Sequence, residues 1–182
     1  TNDQQEDKLN EDTIMGNKDM FIDQDLFLEE DLSGLEVIEY DDAQNDFELL
    51  IVEDNTDLLK FLANHFKEHY RVTTAINGKV ALEKIVKKLP DAIISDVIMP
   101  KMDGISLCRE IKKNISTSHI PIILLTSKSD PKYRIDGLDM GADTYLPKPF
   151  NLKELELIIK NIIDSRNNLK KHFLKFGNLE NH

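Results

Sequence analysis

The sequence predicts an α/β domain, a doubly wound parallel sheet with helices on both faces. Three observations carry that prediction. Between residues 47 and 164, short runs of strand length alternate five times with stretches of helical period. Residues 47–52 and 120–125 are almost continuously apolar, as expected for strands covered on both sides. The connections are short, which suits successive βα units.

Each element has a local reason. Residues 47–52 (FELLIV) form the first strand and end in Glu53-Asp54. Asn55, Thr56 and Asp57 supply N-cap candidates for a helix carrying Leu59, Leu62 and Phe66 on one face. Residues 71–75 (RVTTA) make a second, β-branched strand. Asn77-Gly78 turns into a helix with Leu82, Ile85, Val86 and Leu89 in register, stopped by Pro90. Residues 91–95 form the third strand, and Asp96 stands where it should end. Met99-Pro100 and Asp103-Gly104 then turn the chain into a helix over residues 105–111. Residues 120–125 form strand four, residues 132–140 a helix ending at Gly141, and residues 144–146 a short fifth strand. Asn151 and Glu154 make a capping box for a last helix bearing Leu152, Leu155, Ile158, Ile159 and Ile162.

The net charge of −11 is unevenly spread. Residues 1–46 hold 16 acids against Lys8 and Lys18, whereas residues 47–182 hold 18 acids against 21 bases. That asymmetry divides the chain into an acidic, largely disordered linker (1–46), a globular domain (47–164) and a helical connector (165–182). Residues 20–40 of the leader mix acids with Met20, Phe21, Ile22, Leu26, Phe27, Leu28, Leu32, Leu35, Val37 and Ile38. They read either as a weakly docking linker or as a short amphipathic element that contacts the body or another domain. The connector carries four bases and no acid across residues 165–175. The start at Thr1 suggests a fragment of a longer protein. Cys108, the single cysteine, fits a reducing, cytoplasmic compartment. No apolar run approaches the ~18 residues a membrane helix needs.

In such sheets chemistry gathers beyond the C-terminal ends of the strands. Those ends carry Glu53 and Asp54, then Asp96, Thr126 and Lys148. Taken singly, each has an ordinary role as a helix-start acid, a cap or a solvated lysine; their joint placement on one rim is harder to explain that way. Converging carboxylates need a cation or raised pKa values. Hard oxygen ligands suit Mg²⁺, and a metal beside a lysine and a carboxylate suits a phosphoryl group. One carboxylate can then act as nucleophile and become an aspartyl phosphate. Other phosphate chemistries fit less well. No glycine-rich turn follows strand one, so neither a dinucleotide fingerprint nor a P-loop is present. Asp96-Val97-Ile98 lacks the second aspartate that aspartate-nucleophile phosphatases use. The five histidines are scattered, and His65 and His69, at helical spacing, read as a solvated face.

At this point LLIVEDNTDLLKFL, PDAIISDVIMPKMDGISLCREIK, IPIILLTSKSD and GADTYLPKPF resemble, in order, the motifs of the response-regulator receiver domain of two-component signalling. The resemblance covers roughly residues 47–165. It implies a flavodoxin-like sheet with strand order 2-1-3-4-5. It also implies that Asp96 accepts a phosphoryl group from a histidine kinase phosphohistidine. By the same resemblance Asp54 ligates Mg²⁺ directly, Glu53 assists, often through water, and the Ile98 backbone carbonyl completes the protein ligands. Lys148 pairs with the phosphoryl oxygens and precedes a cis bond to Pro149. Thr126 hydrogen-bonds the phosphoryl group, and Tyr145 is the aromatic whose rotamer follows that threonine and remodels the face of strands four and five.

The arrangement of linker, receiver and connector is similar to hybrid sensor kinases. There a receiver follows a kinase core and precedes a DNA-binding output domain on the same chain. The implied activity is a switch that takes part in its own phosphorylation and slow dephosphorylation without being a turnover enzyme. A receiver-fold scaffold that never takes phosphate and a Mg²⁺-dependent phosphatase are the alternatives. Homodimerisation on activation is open at this stage.

Overall fold

In the computed structural model, residues 46–127 and 141–177 are described. Residues 1–45 of the predicted linker (1–46), the predicted helix over residues 132–140 and the last five residues lie outside them. The described elements are β1 (Glu48–Val52), α1 (Thr56–Phe66), β2 (Arg71–Ala75), α2 (Gly78–Lys87), β3 (Ala92–Asp96), α3 (Gly104–Lys113), β4 (Ile122–Ser127), β5 (Thr144–Lys148) and α4 (Leu152–Gly177). The five strands are all parallel, in the order β2-β1-β3-β4-β5, as the resemblance implies.

The apolar runs are continuous because successive residues serve opposite faces. Leu49 and Ile51 of β1, Ala92 and Ile94 of β3, and Ile123 and Leu125 of β4 join one core. That core also takes Leu58, Leu59, Leu62 and Phe66 from α1, and Leu155, Ile159 and Ile163 from α4. Leu50, Val52, Ile93, Ile122 and Leu124 point the other way, onto Ala81 and Ile85 of α2 and Leu107, Cys108 and Ile111 of α3. Each fully buried aliphatic side chain contributes about 1.5–3 kcal/mol, so the central strands anchor both layers.

Helix starts follow the sequence closely. Asn55 Oδ1 accepts the amides of Asp57 and Leu58, at 3.0 and 3.1 Å. Asn77 caps α2 through Val80 N, and Asp103 caps α3 through Ser106 N. Asn151 Oδ1 accepts Lys153 N at the start of α4.

Three strand ends differ from expectation by one or two residues. Asp96 is the last residue of β3, Thr126 belongs to β4, and Lys148 closes β5. The ladder explains the shift: Asp96 pairs with Leu125, Thr126 with Pro147 and Ser127 with Lys148. Asp96, Thr126 and Lys148 are thus strand residues, whereas Glu53 and Asp54 lie in the loop after β1. His65 also departs from a solvated face, because its Nε2 contacts Glu156 Oε1 of α4 across the helical layer.

Candidate functional site

Four predicted site residues converge at the C-terminal edge of the sheet. Glu53 and Asp54 follow β1, Asp96 ends β3 and Lys148 ends β5. Glu53, Asp54 and Asp96 each offer a carboxylate oxygen within 4.8 Å of the others. Lys148 Nζ lies 2.9 Å from Glu53 Oε2 and 3.3 Å from Asp96 Oδ2. Glu53 is 1% exposed and Asp96 8%, while Asp54 is exposed. Two acids are therefore held inside and one faces solvent.

Burial dominates the electrostatics. It pushes Glu53 up to about 7, opposed by the nearby Lys148 ammonium and reinforced by the Asp96 charge. Burial also raises Asp96 above the ordinary aspartate range, opposed by Lys148 and by the amides of Ile98 and Val97 that donate to it. With all groups ionised, three carboxylates face one ammonium. Such a site favours a further positive charge.

The donor set fits a hard divalent ion. Oxygens around one octahedral Mg²⁺ lie at most about 4 Å apart, because each is at about 2.1 Å from the metal. The three carboxylates, each with an oxygen within 4.8 Å of the others, are grouped on about that scale.

The other predicted residues stand one step away. Thr126 is 6% exposed and lies on the strand next to Asp96, with its hydroxyl donating to the Ser127 carbonyl at 3.3 Å. Tyr145 is half-buried, paired in register with Leu124, and packs against the core on the α2–α3 side. Ile98 lies in the β3–α3 loop with an exposed side chain. The Lys148–Pro149 bond is cis.

Three supporting residues were not assigned a site role from sequence. Asn55 N donates to Glu53 Oε1 at 3.2 Å, so the helix cap also orients the buried acid. Ser95 Oγ donates to the Asp96 carbonyl at 2.9 Å. Gly104 lets α3 abut that same carbonyl, since a Cβ there would stand 2.1 Å from it. The only sequence signal for Gly104 is its place in Asp103-Gly104, which reads as an ordinary turn.

Comparison with known proteins supports the same conclusion. The family model described as "Response regulator receiver domain" matches residues 49–160. The chain is 52% identical over 125 residues to "Histidine kinase P4" of Formosa agariphila, covering 69% of this chain and 9% of that protein. It is 40% identical over 117 residues to "Response regulator ArlR" of Staphylococcus aureus, covering 64% of this chain and 52% of that one. It therefore spans only part of the length of these curated relatives. Among solved structures, the signal receiver domain of a signal transduction histidine kinase from Syntrophus aciditrophicus aligns with a TM-score of 0.63 at 38% identity. That alignment covers 65% of this chain and 91% of the other. The receiver domain of the Francisella response regulator 1452 aligns with a TM-score of 0.60 at 33% identity, covering 66% and 99%. The acidic rim, the parallel sheet order and the matched family together lead to one statement: this chain belongs to the response regulator receiver domain family.

Proposed function

We propose that the chain is a phosphorylation-dependent signalling switch whose phosphoacceptor is Asp96. The observation that carries the proposal is the buried Asp96 carboxylate, grouped with Glu53 and Asp54 and 3.3 Å from Lys148 Nζ. In the proposed step an Asp96 oxygen attacks the phosphorus of a kinase phosphohistidine. The P–N bond breaks, and the imidazole nitrogen leaves with its electron pair and takes up a proton. A carboxylate nucleophile, a lysine facing the incoming oxygens and a metal-binding acid pair supply positioning and charge neutralisation, which dominate phosphoryl transfer.

Asp54 would hold Mg²⁺ directly, Glu53 through water, Asp96 through its free oxygen and Ile98 through its carbonyl. When bound, the ion neutralises phosphoryl charge. Lys148 exchanges its contact with Glu53 for the phosphoryl oxygens. Thr126 gives up the Ser127 carbonyl for a phosphoryl oxygen, and Tyr145 turns into the space it leaves. The β4–β5 face then presents a changed surface to a downstream output domain. The histidine kinase relative supports a hybrid parent chain, and a DNA-binding output is the reading that arrangement favours. The compartment proposed is the cytoplasm. Among the described residues no helix is long and apolar enough to cross a membrane.

The test is incubation with a small phosphodonor and Mg²⁺, followed by intact mass. A gain of one phosphoryl group, lost in Asp96→Asn and on chelation, is expected. No gain in the unaltered chain would overturn the switch and favour a phosphate-free scaffold.

A further inference from the structure

The loop between β3 and α3, residues 97–103, follows Asp96 directly and is held mostly by its own contacts. Gly104 N donates to the Val97 carbonyl at 2.9 Å and closes the base, and Met102 N donates to the Pro100 carbonyl at 2.8 Å at the tip. Met99, 8% exposed, is buried in the core on the α2–α3 side. The amide of Ile98 donates to the Asp96 carboxylate, so the place of this loop decides how that carboxylate is aimed.

One support comes from elsewhere. Gly78 N, at the first residue of α2, donates to the Met102 carbonyl at 3.0 Å. Among the described residues it is the one hydrogen bond from residues 98–103 to an element other than β3 or α3. The approach leaves no space for a side chain. A Cβ on Gly78 would stand 2.7 Å from Met102 Cγ, 2.9 Å from its carbonyl oxygen and 3.0 Å from its Sδ. Gly78 has no left-handed φ, so the close approach alone calls for glycine where alanine would suit a helix better. α2 is poorly placed to withdraw. Asn77, 1% exposed, caps it through Val80 N, and Ala81 and Ile85 are buried in the core. Pro100, Lys101 and Asp103 are exposed, so the loop is the partner that gives.

We propose that Gly78 is a positioning residue for phosphorylation of Asp96. Through Met102 it holds the β3–α3 loop, and with it the Ile98 backbone and the Asp96 carboxylate, in the reactive arrangement. The proposal rests on the reading of Asp96 as phosphoacceptor. It couples the start of α2 to the acidic rim by one backbone contact, and a displacement at Met102 passes back along the loop to Ile98.

The test uses the full 182-residue chain and the variants Gly78→Ala, Met102→Ala and the two combined. Without metal or phosphodonor, Gly78→Ala is expected to shift the amide signals of residues 96–99 as well as those of α2, while unchanged signals from α1 and β1 report an intact fold. Shifts confined to α2 and Met102 overturn the proposal, whatever the chain does with phosphate. With Mg²⁺ and phosphoramidate, intact mass is expected to show Asp96 of Gly78→Ala phosphorylated about tenfold more slowly than in the unaltered chain. A role local to the helix predicts equal or higher stability with an unchanged rate, so an unchanged rate overturns positioning. In the double variant the new Cβ no longer meets Met102 Cγ or Sδ, and the rate is expected to recover toward that of Met102→Ala alone. A double variant slower than both single ones, as independent effects give, overturns the route through Met102. No phosphoryl gain in the unaltered chain overturns the phosphoacceptor reading and the role in phosphorylation with it; the metal-free shifts then show separately whether Gly78 holds the loop.

Discussion

Lys148 and Glu53 form a nearly buried ion pair, 2.9 Å between Nζ and Oε2, that joins the last strand of the sheet to the first. Asp96 shares the same ammonium at 3.3 Å. Removing the lysine strands two carboxylates in a site that already disfavours their charge. We expect Lys148→Met to lose about 3–5 kcal/mol at pH 8, the usual cost of breaking a buried pair. The loss should be smaller near pH 5, where the stranded acids can take up protons. Urea unfolding at the two pH values measures the difference; an equal loss at both would contradict the assigned electrostatics.

The raised pKa of Glu53 fixes a second expectation. An acid whose folded pKa is about 7 binds more protons folded than unfolded between its ordinary value of 4.5 and 7. In that window the group's contribution to stability falls as pH rises, and the penalty is complete above about 7. Asp96, also raised, acts with the same sign. A metal competes with those protons. Apparent Mg²⁺ affinity should therefore rise roughly tenfold per pH unit up to about 7 and then level off, with proton release on binding. Calorimetry in buffers of different ionisation enthalpy reads both effects.

Gly104 predicts a coupled loss of stability and activity. A Cβ there meets the Asp96 carbonyl at 2.1 Å, so either α3 or the end of β3 must move. Gly104→Ala should cost about 1–3 kcal/mol, as overpacking does, and slow phosphorylation of Asp96 by roughly tenfold or more. Ser95→Ala keeps the space and removes only the hydroxyl contact, so its effect should be smaller. Denaturation midpoints and phosphorylation time courses separate the two.

Lys101 offers the opposite sign in the same loop. Its φ of 68° is left-handed, a conformation that costs a side-chain-bearing residue about 1–2 kcal/mol. Lys101→Gly relieves that cost and loses part of it to backbone entropy, for a net gain of about 0.5–1 kcal/mol. A lower urea midpoint in the variant would show that the lysine side chain supplies a contact worth more than its strain.

On the proposed function, a change at Tyr145 should separate chemistry from response. It packs on the α2–α3 core and pairs in register with Leu124. Tyr145→Ala should leave phosphorylation of Asp96 at its normal rate. It should abolish the phosphorylation-dependent change in hydrogen exchange over β4 and β5. A preserved exchange change would assign the switch to another side chain.

What could be read from sequence was local or periodic. The apolar runs of β1 and β4, the caps at Asn55, Asn77 and Asp103, and the acids at strand ends all carry their signal within a few residues. The register of a parallel ladder does not, and so the sequence places Asp96, Thr126 and Lys148 just past their strands rather than within them. His65 was hidden for the same reason. Its partner Glu156 lies 91 residues away on another helix, and helical spacing with His69 gives no hint of it. The contacts of Asp91, which accepts the Glu48 amide on Oδ2 and Arg166 on its carbonyl, and the close approach of Gly104 to Asp96 likewise depend on how layers stack. The residue types of the reactive rim were legible; the contacts that hold them were not.

The bond from Glu48 to Asp91 and from Arg166 to the same aspartate has a consequence for how such a domain travels between proteins. Because its two covalent connections leave one pole side by side, the domain can be spliced into a host chain without prying apart what flanks it. The acid rim lies at the other end of the sheet, about 17 Å away along five residues of strand. A module so arranged is portable: its attachment and its acid rim lie at opposite poles.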